Sequence, residues 1–182
     1  ASPVDQRDLP SVLDAIKRET ALISGSFYGT MLRTEIFDFS QIGTFIERAD
    51  NTARILDVKY YVLLPSISWV GSTLDNSQWE SILRSVSAHR SYRWVYEADY
   101  KPTHIADYLI LNNRMPRSLA YCYRRIHEAV NFLADDYDLR HPCHDYVDQT
   151  LAKLQVGSIK DIFDAGLHEF LAGFINDNNR LG

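Results

Sequence analysis

Residues 46–58, Ile46-Glu47-Arg48-Ala49-Asp50-Asn51-Thr52-Ala53-Arg54-Ile55-Leu56-Asp57-Val58, decide how this chain is read. Six of these thirteen positions are charged or amide, yet the run lies inside one helical pattern from Ile36 to Leu64. At about 100° per residue, Ile42, Phe45, Ile46, Ala49, Ala53, Leu56, Tyr60, Leu63 and Leu64 share one face. Glu47, Asp50, Arg54 and Asp57 form a second stripe, roughly 120° away, and Arg48 and Lys59 lie on a third side. A helix with one apolar face and charge on two others predicts neighbours on more than one side. Pro65 marks its end. A strand is excluded, because the apolar spacing has a period of about 3.6 rather than 2.

The same period runs outward in both directions. Leu13, Ile16, Thr20, Ile23, Phe27 and Met31 mark a first helix, opened by Pro10. Within it, the spacing of Gly25 and Gly29 would allow close helix contact, which reads as packing rather than a site. After Pro65 a loop containing Gly71 leads to Ser77-Gln78-Trp79-Glu80, which reads as a capping box, with Asp75 an equally good cap. Trp79, Ile82, Leu83 and Val86 continue that helix to a break at Tyr100-Lys101-Pro102-Thr103. A short helix ends near Leu111. Pro116 starts the next, whose stripe is Leu119, Cys122, Tyr123, Ile126, Val130, Leu133 and Tyr137. His141-Pro142 breaks it, a helix around Val147, Leu151 and Leu154 ends at Gly157, and Ser158 caps the last. Nowhere does strand-like alternation persist between turn signals. The expectation is an all-α bundle of about seven helices with one long central helix, forming a single domain over 1–182.

Bulk properties narrow the function. The chain has 182 residues, 46% hydrophobic and 24% charged, which is ordinary globular composition. Its net charge of −5 argues against nucleic acid, which requires a basic footprint. No apolar run reaches the length of a membrane span. The start, Ala1-Ser2-Pro3, carries neither a signal peptide nor an initiator Met and reads as a processed or truncated chain. Two distant cysteines, Cys122 and Cys143, make no disulfide framework, so a cytoplasmic setting is expected.

The long charged run resembles the alpha-E domain, a bacterial helical family named for its Glu-Arg motif. The resemblance begins at Gly29-Thr30-Met31-Leu32 and continues through Phe39, Ile42-Gly43 and Ile46 to Tyr60. It resumes at Leu74-Asp75, Gln78-Trp79, the Ser85–Tyr96 segment, Leu109-Ile110-Leu111, Pro116-Arg117-Ser118 and Gly166 to Leu171. Such proteins carry the Glu-Arg helix twice in tandem, and this chain looks like the second repeat, the C-terminal half of a longer protein. The family implies association with ATP-grasp-type proteins and with transglutaminase-like or amidohydrolase-like proteins, in systems that make or modify peptide-like amides. His89-Arg90 and Asn112-Asn113 depart from the family pattern, so any site they share is altered here. A chain with one copy of a duplicated unit is also expected to form a homodimer through exposed apolar surface, with Phe27, Tyr28 and the aromatic residues at 92–100 as the surfaces.

Two roles are open to the charged run. Glu47 and Arg48 point about 100° apart, so each needs a different partner, and at least one is expected to be buried and paired. Asp50–Arg54 and Arg54–Asp57 have pairing spacings, which reads as an ion-pair network orienting the helix. The rival is a polar site in which Arg48 or Arg54 grips a carboxylate or phosphate and Glu47 takes a proton, with Asp50, Asn51 and Asp57 as binding residues. No metal or other cofactor is expected. His141, Cys143, His144 and Asp148 are close in sequence, and Asp164 and His168 stand one turn apart, but no Glu-x-x-His motif occurs. On a helical wheel His168 points to water. No phosphate-binding glycine loop and no nucleophile elbow is present. Eleven tyrosines and three tryptophans remain, with Tyr92, Trp94, Tyr96 and Tyr100 bunched among Arg90 and Arg93. They read either as an interface or as an aromatic core layer.

Overall fold

A computed structural model describes residues 8–61, 73–97 and 100–182. Every regular element among them is helical: α1 Leu9–Thr30, α2 Glu35–Tyr61, α3 Thr73–Ser85, α4 His89–Tyr96, α5 Pro102–Ile110, α6 Leu119–Tyr137, α7 Pro142–Val156, α8 Ile159–Ala165 and α9 Leu167–Leu181. The chain is all-α. The long helix passes through Gly43 without interruption, as its apolar spacing requires. Its expected end at Leu64 and Pro65 lies outside the described residues.

The chain divides into two compact units, Ala1–Phe37 and Asp38–Gly182. In the first, α1 buries none of its residues. Leu13, Ile16 and Ile23, which mark this helix in the sequence, are 45%, 56% and 69% exposed. Among the described residues, Gly25 and Gly29 likewise meet nothing within 4 Å of a Cβ position. What holds this unit is a local aromatic knot. Phe27 stacks on Phe37 at 5.2 Å, and Arg33 lies 4.0 Å above the Phe37 ring while donating to the Tyr28 and Met31 carbonyls.

The second unit holds the core. Phe45, Ala49, Ala53 and Leu56 of α2 join Leu83, Tyr92, Ile105, Leu109, Ile126 and Leu171 in one buried cluster. Helices α6 and α7 form the most extensive pair. Their junction is fixed by His144, whose Nε2 donates to the Val130 carbonyl at 3.0 Å while its Nδ1 takes the His141 N–H at 2.9 Å.

Nine helices among the described residues, rather than seven, come from two left-handed breaks. Ser87 at φ 57° separates α3 from α4, and Gly166 at φ 104° separates α8 from α9. The second break has a clear residue requirement, because a Cβ at that φ is strained. Ser158 caps α8 as expected, accepting from the Asp161 N–H. The chain is already helical at Thr73, so Asp75 and Ser77 lie inside α3 and neither is its cap.

Candidate functional site

The charged stripe of α2 is a surface, with its partners distributed along it. Glu47 is exposed, against the expectation that its helix would be covered on that side, and no ion pair reaches it among the described residues. Arg48 is half-buried. It donates from Nη1 to the Pro116 carbonyl at 3.3 Å, with its Cζ 5.0 Å from the centre of the Phe45 ring. Asn51 is exposed. Arg54 and Asp50 form the expected one-turn pair, Nε to Oδ2 at 2.6 Å. Asp50's hydrogen bond and charge together raise the Arg54 guanidinium above its ordinary range.

Asp57 turns elsewhere. Its Oδ1 lies 2.7 Å from Nδ1 of His168 on α9, and since a carboxylate only accepts, that ring nitrogen carries the hydrogen. His168 therefore faces α2 rather than water. The reason is the break at Gly166: it resets the helical register, and a wheel drawn through 159–174 as one helix places His168 on the wrong side.

The charge that the fold does bury on α2 is Lys59. Its ammonium is 2% exposed and donates to Asp75 Oδ1 and Gln78 Oε1, both at 2.5 Å. Sequence reasoning missed this pair. The signal was a lysine inside the helical pattern of a mostly apolar turn, with an acid in the next helix.

The histidine and cysteine residues at the start of α7 do not assemble as a ligand set. Both His144 nitrogens are engaged, Cys143 is exposed, and Asp148 binds Arg140 at 2.9 Å and His127 at 3.1 Å. Among the described residues no group of three or more His, Cys, Asp or Glu could hold a metal ion. Cys122 is buried, and burial pushes its thiol up to about 12, which leaves it protonated and unreactive near neutrality.

Among the described residues, the second unit holds at least two cavities. The larger, about 710 Å³, is walled by Phe39, Ile42 and Ile46 of α2, Val130 and Leu133 of α6 and Leu181 of α9. Tyr137, His141, Cys143 and His144 also line it, and the remaining walls are apolar. The smaller, about 580 Å³, brings Arg90 and Trp94 of α4 beside Asn112 and Arg114. Arg90 and Asn112, from the two stretches expected to depart from the family pattern, thus line one cavity. None of Glu47, Arg48, Asp50, Asn51, Arg54 or Asp57 lines either cavity.

The aromatic cluster serves both readings in part. Tyr96, Tyr92 and Tyr100 stack in turn at 4.9 and 5.7 Å, with His104 and His89 at the two ends, and Tyr92 is fully buried. Trp94, between them in sequence, is 91% exposed.

The fold and the stripe together define an all-α domain organised on one long helix with a Glu-Arg pair at its middle. The chain belongs to the Alpha-E family, described as a predicted alpha-helical domain with a conserved ER motif, which it matches over residues 2–182. Glu47-Arg48 is the one Glu-Arg pair in its sequence. No curated protein and no solved structure matches the chain.

Proposed function

We infer that this domain acts as a non-catalytic partner or scaffold in an ATP-grasp-linked system that makes or modifies peptide-like amides in the cytoplasm. One observation carries the non-catalytic part: Asp50 and Arg54 hold each other, Asp57 is held by His168, Glu47 is exposed, and none of them lines either of the two cavities described above. A carboxylate held by a guanidinium is a weak base at neutral pH. The large cavity offers the opposite chemistry. Its apolar walls and the exposed Phe39 at its edge suit the inserted side chains of another protein. The system itself is proposed from the family resemblance, with ATP-grasp-type and transglutaminase-like proteins as the partners and with a homodimer formed through the exposed face of α1.

The second reading is an enzyme using Glu47, Arg48 and Arg54, and the exposure of Glu47 favours it to the extent that the carboxylate is free to work. Co-purification separates the two. The chain, expressed with the ATP-grasp-type and transglutaminase-like proteins encoded beside it, is expected to elute with at least one of them. Elution alone, together with turnover of a peptide-like substrate that Glu47→Gln abolishes, overturns the scaffold reading.

A further inference from the structure

Where α2 meets the start of α6, arginines gather that no acid neutralises. Arg48 reaches from α2 to the carbonyl of Pro116. The next residue, Arg117, is half-buried, and the one after it, Ser118, caps α6 by accepting from the Tyr121 N–H. Arg124 lies with its Cζ 5.0 Å from the Tyr121 ring centre; its Nη2 donates to the Asn113 carbonyl at 3.5 Å, and its Nε is buried without a hydrogen-bond partner. The Tyr121 and Phe45 rings are 6.0 Å apart. Arg48 and Arg124 therefore sit on neighbouring rings of one aromatic pair. Arg125 also lies over Phe45, but Glu128 pairs with it. Among the described residues no carboxylate pairs with Arg48, Arg117 or Arg124.

This is an unusual arrangement for an acidic chain. Acids are available on α2, but Asp50 goes to Arg54 and Asp57 to His168. Like charges brought together while losing water are unfavourable unless an anion joins them. Burial first, and then the charge of Arg48, pull the Arg117 guanidinium below its ordinary range. It keeps its proton at neutral pH all the same.

We propose that Arg48, Arg117 and Arg124 form a binding site for an oxyanion group, a carboxylate or a phosphate, presented over the Phe45–Tyr121 ring pair. Guanidinium forks match the geometry of either group. The rings give an apolar floor to whatever carries it. Arg54 takes no part, because Asp50 already holds it. The assignment does not rest on the scaffold reading, since a partner-binding domain and an enzyme would both use such a site. It gives the Arg of the Glu-Arg motif a task that its neighbour Glu47, exposed one residue away, does not share.

Thermal denaturation of the whole chain at fixed ionic strength tests it, with inorganic phosphate titrated in one arm and N-acetylglutamate in the other. At ten times the dissociation constant the melting temperature should rise by roughly 3–5 °C, and saturably. A rise with phosphate alone marks a phosphate-bearing ligand, a rise with N-acetylglutamate alone a carboxylate-bearing one, and a rise with both the shared chemistry. Arg117→Gln should abolish the rise, while Arg180→Gln, on the exposed side of α9, should keep it. Without added anion, Arg117→Gln should melt at or above the wild-type temperature, because it removes an unneutralised charge. The proposal fails if neither anion acts beyond matched chloride, if Arg117→Gln retains the effect, or if that variant is destabilised when no anion is added.

Discussion

The C-terminal end and the middle of α2 treat charge in opposite ways. Near its C-terminal end, Lys59 is sealed from water and its ammonium is answered twice, by Asp75 and Gln78 of α3. Near its middle, Glu47 stands in solvent, Arg48 is half-covered, and the Asp50–Arg54 pair lies on the surface with Arg54 about half-exposed. A helical wheel gives all of these residues the same status, charged and off the apolar face. What separates them is whether another helix covers that side. Where one does, the charge must be matched by a specific partner, because an isolated buried ion is prohibitively costly. Where none does, water serves, and the side chain is left free to meet something outside the protein.

The sharpest test of this contrast is Asp75→Ala. It strands the Lys59 ammonium in the core, which typically costs about 3–5 kcal/mol. For a chain of this length that corresponds to a fall in melting temperature of roughly 10 °C, read by circular dichroism. The double substitution Lys59→Met with Asp75→Leu should recover most of the loss, since an apolar pair of similar volume needs no neutralisation. A fall below about 2 °C for Asp75→Ala would mean that water reaches Lys59, and the contrast between the C-terminal end and the middle would disappear.

Much of this was legible in the residues, and the failures share a cause. The unbroken α2, the stripe of α6, the cap at Ser158 and the stop at Gly157 follow from period and punctuation, which are local. The breaks at Ser87 and Gly166 are local too, but a single left-handed residue inside an apolar pattern leaves the period almost intact. Missing the second one turned His168 to the wrong side. The first helix, α1, was legible as a helix from Leu13, Ile16 and Ile23, but nothing in a helical period says what covers such a face. Lys59–Asp75 and the arginine cluster at Arg48, Arg117 and Arg124 join residues from separate helices. Spacing along one helix cannot reveal such pairs.

Between the extremes lies Asp57–His168, where each side chain is about a fifth to a quarter exposed. Asp57→Ala and His168→Ala should each cost roughly 1 kcal/mol, a shift of about 2–4 °C. The double variant should lose little more than either single one, because both remove the same bond. Additive losses would show that the two residues stabilise the fold independently, and the graded picture of α2 would lose its middle step. Arg54→Ala should do less still. Its pair with Asp50 is open to solvent, so the melting temperature should change by no more than about 1–2 °C, and less at 1 M salt than at 0.05 M.

Glu47→Ala should have the smallest effect on stability and the largest meaning for function. An exposed side chain with no ion pair among the described residues contributes little to folding, and substitutions at such positions usually stay within about 0.5 kcal/mol. The expected melting curve therefore overlays that of the parent chain. Of the Glu47–Arg48 pair, at least one of which was expected to be buried and paired, Glu47 is exposed and Arg48 half-buried, so a severe loss is not expected here. This also makes the variant a clean instrument, because a change in activity or in partner binding could not be assigned to unfolding. If Glu47→Ala leaves both stability and the assembled system's activity intact, the carboxylate is a solvated neighbour of Arg48 and the scaffold reading stands. If stability holds while activity is lost, Glu47 works on a substrate and the enzyme reading replaces it. A drop of more than about 5 °C would reveal a partner for Glu47 and erase the difference between the middle and the C-terminal end of α2.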